Sequence, residues 1–340
     1  MEKIRKNINK DLNLSILVGI TILVLLGTGI RFGDSMYSLR NIQSMAFQIP
    51  EFGFLALAMM LSNLIGGIDL SIIANANTVA ILTAYVLNGS WALGTEGVLR
   101  IILAMFFAII CSIVFGLFNG ILISKTSAPP LIATLGTMTL FQGIGMVITG
   151  GASVGGIEEE FALLGKLMIL RVPFIFWLFI TITLILGIIL SKTRFGRKLY
   201  LYGDNSVASR FSGINNEKMC VWTFVLTGIL AGMAGLIVLS RVNSAKVGYG
   251  ESYLLQTLIV CVIGGIDPNG GRGNVLGLLI AIILMQIMSS AFTIMALSPY
   301  TQKLIWGIML ILVLGLNHVL KNYTMKKILR TNRKLPVYFK

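Results

Sequence analysis

Lys192-Thr-Arg-Phe-Gly-Arg-Lys-Leu-Tyr-Leu-Tyr-Gly-Asp-Asn-Ser-Val-Ala-Ser-Arg-Phe-Ser-Gly-Ile214 separates two long apolar spans. It is the longest patterned polar interruption in a chain that is otherwise lipid-soluble. Asn205 is suited to cap a helix and Gly213 to stop one, and the residues between them make about two turns. Val207, Phe211 and Ile214 recur at i, i+4 and i+7, which gives that short helix one apolar stripe while Arg210 projects elsewhere. An amphipathic helix with an aromatic anchor fits the groove of a partner protein. The alternative is a helix lying at the lipid interface with the same stripe among the headgroups.

Composition fixes the class. Apolar residues make up 56% of the chain and charged residues 12%, about half the charged share of a soluble domain. The apolar residues gather into ten candidate spans, at about 14–30, 45–66, 70–87, 98–124, 129–149, 172–190, 219–240, 253–266, 274–297 and 300–319. Pro50 with Glu51, Pro129-Pro130 and Gly264-Gly265 interrupt the second, fifth and eighth. The expected fold is an all-α polytopic membrane protein, because a bundle of helices satisfies its backbone without water. It forms one transmembrane domain over 1–340, with a loop at 191–218 and a basic tail at 321–340. Lys3, Arg5, Lys6 and Lys10 precede the first span as in a secretion signal. That run is too long and lacks a small-residue cleavage site, so it reads as an uncleaved span.

Charge orients the chain. With the N-terminus inside and ten spans, 19 of the 27 basic residues fall in inner segments, which is the orientation the positive-inside rule selects. Glu158-Glu159-Glu160 then sits in the largest outer loop. The formal charge of +14 needs no nucleic acid, since lysines and arginines at helix ends meet anionic lipid.

Several kinds of chemistry are excluded. Cys111, Cys220 and Cys261 lie in or at the ends of spans without metal-ligand spacing. His318 sits at the inner end of the last span, an interfacial position. No HExxH, nucleophile elbow, paired carboxylates or GxxxxGK[ST] occurs. If transport here is driven by ATP, the ATPase is a separate polypeptide. Gly116 and Gly120, Gly228 and Gly232, Ala231 and Gly235, and Gly273, Gly277 and Ala281 repeat at four-residue spacing, which lets helix backbones approach closely in lipid. Gly-Gly-Ile-Asp occurs at 66–69 and again at 264–267; the flanks do not align, and the repetition reads as coincidence.

Polar residues inside apolar spans carry more information, because they are costly in hydrocarbon unless they face water or a partner. Glu51, Asn75, Asn77, Thr134, Thr137, Phe141 and Gln142 are the candidates for a translocation path. Thr134, Thr137 and Phe141 share one helical face by their i, i+3, i+7 spacing. Interhelical hydrogen bonding is the alternative for all of them. Asp69 is expected to cap the third span.

Gly-Gly-Ile-Asp-Leu-Ser at 66–71, Pro-Pro-Leu-Ile-Ala-Thr-Leu-Gly-Thr-Met at 129–138 and Thr-Arg-Phe-Gly-Arg-Lys-Leu-Tyr-Leu-Tyr-Gly-Asp-Asn at 193–205 form a series. Ala-Ser-Arg-Phe-Ser-Gly-Ile at 208–214, Ser240-Arg241 and Val-Ile-Gly-Gly-Ile-Asp-Pro-Asn-Gly-Gly-Arg-Gly at 262–273 extend it. In this order the motifs resemble the ribose-type permease family of bacterial ABC importers, over roughly 40–320. The resemblance implies ten spans of the type II importer architecture, in the bacterial cell membrane with both termini cytoplasmic. It implies a second permease subunit, cytoplasmic ATPase subunits and an extracytoplasmic solute-binding protein. ATP–Mg then sits on the partner ATPase, and this chain carries no cofactor and no catalysis. It also implies that Arg194, Phe195, Gly196, Arg197, Asn205, Val207, Arg210, Phe211, Gly213 and Ile214 form the element that couples to the ATPase. Gly67, Asp69, Ser71, Gly264, Gly265, Gly270 and Gly271 are then structural residues of the motifs.

The implied cargo is a monosaccharide, autoinducer-2 or a related polyol. Two departures from the family pattern lie near the expected path: Ile72-Ile73-Ala74-Asn75-Ala76-Asn77 after Asp69-Leu-Ser, and Glu51 where a neutral residue is common. They leave a nucleoside as the alternative cargo. An ion-coupled secondary carrier would want more membrane carboxylates than Glu51 and Asp69, and it would not explain the patterned loop. A membrane enzyme would want a catalytic constellation.

Overall fold

The computed structural model describes residues 2–91, 94–126 and 128–332, with side chains described between 14 and 315. The side chains of Lys3, Arg5, Lys6, Lys10 and His318, and all of residues 333–340 in the basic tail, lie outside the described residues. Fourteen helices run α1 Glu2–Phe32, α2 Asp34–Tyr37, α3 Leu39–Leu64, α4 Ile72–Leu87, α5 Gly97–Thr126, α6 Pro130–Thr149 and α7 Glu159–Leu164. They continue as α8 Phe174–Lys192, α9 Arg194–Asp204, α10 Ser206–Phe211, α11 Asn216–Val242, α12 Glu251–Ile263, α13 Val275–Ile294 and α14 Pro299–Asn332. Two small antiparallel ladders complete the described structure: Val154–Gly155 pairs with Ser244–Ala245, and Met168–Ile169 with Val172–Pro173.

Ten of these helices correspond to the ten candidate spans, and the protein is an all-α polytopic membrane protein. Seven are long and apolar enough to cross a membrane, while α4, α12 and 299–315 of α14 are shorter. The shortness of α4 and α12 has a cause. Thirteen residues of α12 rise only about 20 Å, and each helix is entered by a loop that packs into protein. Non-helical backbone is tolerated at depth only under that condition. Pro50 does not end its span: α3 runs continuously through it. Pro130 opens α6 at its first turn, where the missing N–H costs nothing. Gly264 closes α12.

The centre of the bundle is α11, packed on α5, α3 and α4. The small residues found by spacing make this possible. A Cβ on Gly116 would stand 2.4 Å from the Phe224 carbonyl oxygen, and one on Gly228 2.4 Å from that of Ser112. Gly235 meets Ala76 O at 2.1 Å and Gly277 meets Gly264 O at 2.3 Å by the same measure. Backbone therefore lies on backbone. Outward faces of α1, α5 and α8 carry exposed Leu23, Phe106 and Ile188, as lipid contact requires.

The two Gly-Gly-Ile-Asp copies are not conformational equivalents. The left-handed residue is the first glycine in one copy (Gly66, φ 77°) and the second in the other (Gly265, φ 78°). The repetition is coincidental in structure as in sequence.

Gly228→Val should lower the thermal stability of the purified protein by about 1–3 kcal/mol, because the Ser112 carbonyl cannot yield. Gly136→Ala, on a part of α6 with nothing within 4 Å of the added carbon, should leave it unchanged. Scanning fluorimetry in detergent reads both; equal stability for the two variants would mean that α11 and α5 are not held this close.

Candidate functional site

Two regions carry the candidate residues, at opposite ends of α11. At its C-terminal turn, Arg241 Nη1 donates to Glu51 Oε1 at 2.5 Å and to the Phe47 carbonyl at 3.2 Å. Tyr253 Oη donates to the other carboxylate oxygen at 3.1 Å. Glu51 is the residue after Pro50 on α3, where the missing proline N–H loosens the helical ladder; Arg241 braces that turn from outside.

Beside the pair opens a cavity of about 170 Å3, lined by Glu51, Asn77, Tyr249 and Tyr253 over an aliphatic floor that includes Leu55 and Val238. Asn77 Nδ2 donates to Tyr249 O at 3.0 Å, tying α4 to the 243–250 loop that roofs the cavity. A second cavity, about 330 Å3, is lined by Arg241 together with Arg40, Gln43, Ser44, Phe47, Gly165 and Lys166. Arg241 thus lines a basic vestibule, while its partner Glu51 lines the mixed polar–apolar chamber.

The remaining path candidates are not gathered there. Thr134, Thr137 and Phe141 face inward, but they face packing. Thr134 Oγ1 donates to Ile68 O (2.9 Å) and accepts from Leu70 N (3.2 Å), Thr137 Oγ1 donates to Thr134 O (3.3 Å), and Thr78 Oγ1 donates to Phe141 O (2.8 Å). The Phe141 ring lies 4.5 Å from that of Phe115. Gln142 is half-buried one position off this face. Asn75 is buried with its Oδ1 unpartnered among the described residues and lines neither cavity.

Asp69 does not cap α4. Ser71 occupies that position without a side-chain cap bond. Asp69 Oδ1 instead accepts from Ser71 N (2.9 Å) and Ser71 Oγ (2.6 Å), while Asn119 Nδ2 donates to Ser71 Oγ (2.7 Å) and Thr227 Oγ1 to Asp69 Oδ2 (3.4 Å). Short side chains bond their own backbone neighbours in this way and shape turns. The result pins the buried 65–71 loop to α5, α6 and α11.

At the other end of α11, α9 and α10 form a helical corner. Asn205 Oδ1 accepts from Val207 N (3.0 Å) and Ala208 N (2.9 Å), and Gly213 turns the chain at φ 79°. Asn216 Nδ2 donates to Ser206 O (2.7 Å) and Ser209 Oγ to Asn216 Oδ1 (2.9 Å), which fastens α10 to the first residue of α11. Val207 and Phe211 are 64% and 89% exposed, so the apolar stripe points out of the protein. Ile214 is not part of it: helix α10 ends at Phe211, and the turn at Gly213 buries Ile214. Arg194, Arg197 and Arg210 are exposed. Phe195 packs against the core, and a Cβ on Gly196 would meet Leu190 O at 2.1 Å, so those two position α9 and present no outward surface. Burial pushes the Tyr200 and Tyr202 phenols up, the latter to about 12 with Cys220 adding to it, so neither contributes charge to this corner.

The structural glycines meet α9 directly. Gly271 N donates to Leu64 O at 2.9 Å. A Cβ on Gly203 would fall 1.9 Å from Leu64 O, and one on Gly270 2.6 Å from Gly203 O. The 66–69, 203–205 and 264–273 motifs are thus one contact. Gly67 lies against Pro130, linking α6 to it.

Sequence reasoning missed Arg241 and Tyr253 as partners of Glu51, Tyr249 as the partner of Asn77, and Leu201 as a further exposed apolar residue of the corner, on α9. A signal existed for Arg241: an arginine in the last turn of an apolar span, in a chain with one carboxylate deep in another span.

The chain matches, over residues 41–314, the family described as branched-chain amino acid transport system / permease component. It is similar to the ribose import permease protein of Bacillus subtilis (strain 168), at 33% identity, covering 82% of this chain and 84% of that one. The ribose import permease protein of Haemophilus influenzae is 31% identical over 88% of this chain and 92% of its own. An autoinducer 2 import system permease protein of Photorhabdus laumondii is 28% identical over 87% and 86%. No solved structure matches the chain.

The ion pair is asymmetric, with the Arg241 side chain 27% exposed and that of Glu51 only 8%. Arg241→Leu strands a buried carboxylate and should cost about 3 kcal/mol. Glu51→Gln leaves an arginine that can turn to water and should cost about 1 kcal/mol. Thermal unfolding of both variants in detergent checks this; equal losses would show that Glu51 also reaches water.

Proposed function

This chain belongs to the permease family that these matches define, and we propose that it forms the path of an importer for a monosaccharide or similar small polar solute. It is a transport subunit of an ABC importer and not an enzyme. The cargo class is supported by the ribose and autoinducer 2 importers among its relatives. ATP–Mg is handled by separate ATPase subunits on the cytoplasmic side, and an extracytoplasmic binding protein delivers the solute. A second permease subunit completes the path. The chain lies in the bacterial cell membrane with both termini inside.

One observation carries the coupling part of this reading: the exposed Val207–Phe211 stripe on a corner whose backbone is fully tied down. A lipid-facing helix needs its apolar side turned to hydrocarbon and gains little from such fastening. A docking knob needs both exposure and rigidity, since ordering it beforehand lowers the cost of binding. The basic residues around it, Arg194, Arg197 and Arg210, suit an acidic groove rim. The Gly203–Leu64 contact then passes displacement of the knob to α3, and the Asn216 bonds pass it to α11.

Phe211→Ala should leave membrane insertion intact and weaken ATPase association by about 2 kcal/mol, the level of an interface anchor. Gly203→Val should keep association and lose transport-coupled ATP hydrolysis. Co-purification of the ATPase and vanadate-sensitive hydrolysis in proteoliposomes separate the two; full association of Phe211→Ala would remove α10 from the interface. Reporter fusions after residue 205 and near Glu159 should read cytoplasm and outside, respectively.

A further inference from the structure

We propose that the Glu51 chamber is a transit subsite for one polyhydroxylated solute, in which Glu51 and Asn77 accept hydroxyls and thereby select for them. The inference rests on the cargo class given above and names the residues that recognise it. At about 170 Å3 the chamber is smaller than the 300–1,000 Å3 of drug-sized ligand sites, the scale of a single sugar-sized molecule. Glu51 and Asn77 present acceptors to it, and the Tyr253 hydroxyl already donates to Glu51. A carboxylate offers about four lone-pair positions; Arg241 and Tyr253 occupy two of those on Glu51, leaving two for solute hydroxyls. Asn77 commits its amide nitrogen to Tyr249 O, which turns its own carbonyl oxygen free for a donor. Two tyrosine rings stand over an aliphatic floor, so the C–H faces of a sugar ring meet apolar surface while its edge meets Glu51 and Asn77.

The polar groups are few, which suits a path. A transit site must bind well enough to admit the solute and weakly enough to release it. A carboxylate whose partner can be exchanged provides this: solute hydroxyls replace the Arg241 guanidinium, whose side chain is 27% exposed and already lines the Arg40–Lys166 vestibule into which it would turn. An anionic solute would be repelled by Glu51 while that swing is under way, and an apolar one would leave the carboxylate unpaired. Neutral polyols meet neither cost.

The test is equilibrium binding of radiolabelled D-ribose to the full-length permease in lipid nanodiscs, beside ribose uptake by cells expressing the whole importer. Wild type should bind saturably, on the order of millimolar. Glu51→Gln and Asn77→Leu should each weaken binding about tenfold, and 2-deoxy-D-ribose should bind wild type less well but the Glu51→Gln variant equally. Circular dichroism and elution profile establish that each variant is folded. Cells that take up ribose through a permease that shows no binding, or whose Glu51→Gln and Asn77→Leu variants bind as wild type does, would overturn the subsite and leave the cargo class standing. Wild-type importer that takes up neither ribose nor any competing monosaccharide would overturn the cargo class, and the polyol subsite with it.

Discussion

The structure depends on how closely α11 approaches its neighbours. In lipid there is no hydrophobic drive between helices, so association rests on dispersion and on small residues that let backbones touch. Gly116 and Gly228 bring α5 and α11 into that contact, and Gly235 brings α4. Once α11 is fixed in the centre, the rest of its length has no freedom. Thr227 reaches Asp69 near its middle, Asn216 reaches Ser206 at its start, and Arg241 reaches Glu51 at its end. Of these contacts the Arg241–Glu51 pair is the costliest to lose, because it would leave a buried carboxylate unpaired.

That placement makes α11 a rod about 40 Å long with the α9–α10 corner at one end and an ion pair at the other. Helix α3 runs beside it in the opposite sense. Its C-terminal Leu64 carbonyl takes the Gly271 N–H and sits against Gly203, and Glu51 lies in its middle after Pro50. Two of the helices that the corner touches are therefore the two that share the ion pair. A shift between them at one end cannot be absorbed by side chains, since the contacts there are backbone on glycine. It has to appear at the other end, where α3 has its one loosened turn.

Much of this was legible in the sequence, for physical reasons that differ from element to element. Helix number and the cap and stop of α10 follow from local rules: hydrocarbon thickness, an asparagine at one end, and a glycine able to adopt positive φ at the other. Small-residue spacing identified the faces of α5 and α11 but not their pairing. The Thr134–Phe141 face was recognised as inward; periodicity cannot tell a packed interior from an open one, and it proved packed. Ile214 fits the heptad-like stripe only if the helix continues, and the turn at Gly213 that ends it also reverses the side chain's direction. Asp69 was misassigned because a cap and a turn within the preceding loop use the same residue type. Glu51 and Arg241 each stand out as a charge in an apolar span, but across 190 residues nothing local pairs them.

The position of that pair also explains why an ionic contact stands where an apolar one would give more stability. Buried ion pairs are often no better than hydrophobic replacements for holding a fold. A path, however, must come apart and close again on each cycle, and apolar contacts are not exchangeable with a polar solute. A carboxylate can trade an arginine for hydroxyl donors without ever standing unpaired, so the energy of opening is spread over two small steps. Pro50 makes the exchange local, by loosening only the turn that Arg241 braces. Thr134 and Thr78, by contrast, are bonded to backbone, and Ser71 is held between Asp69 and Asn119. They resist exchange, and in the path proposed for the chamber that rigidity would confine the movement to Glu51.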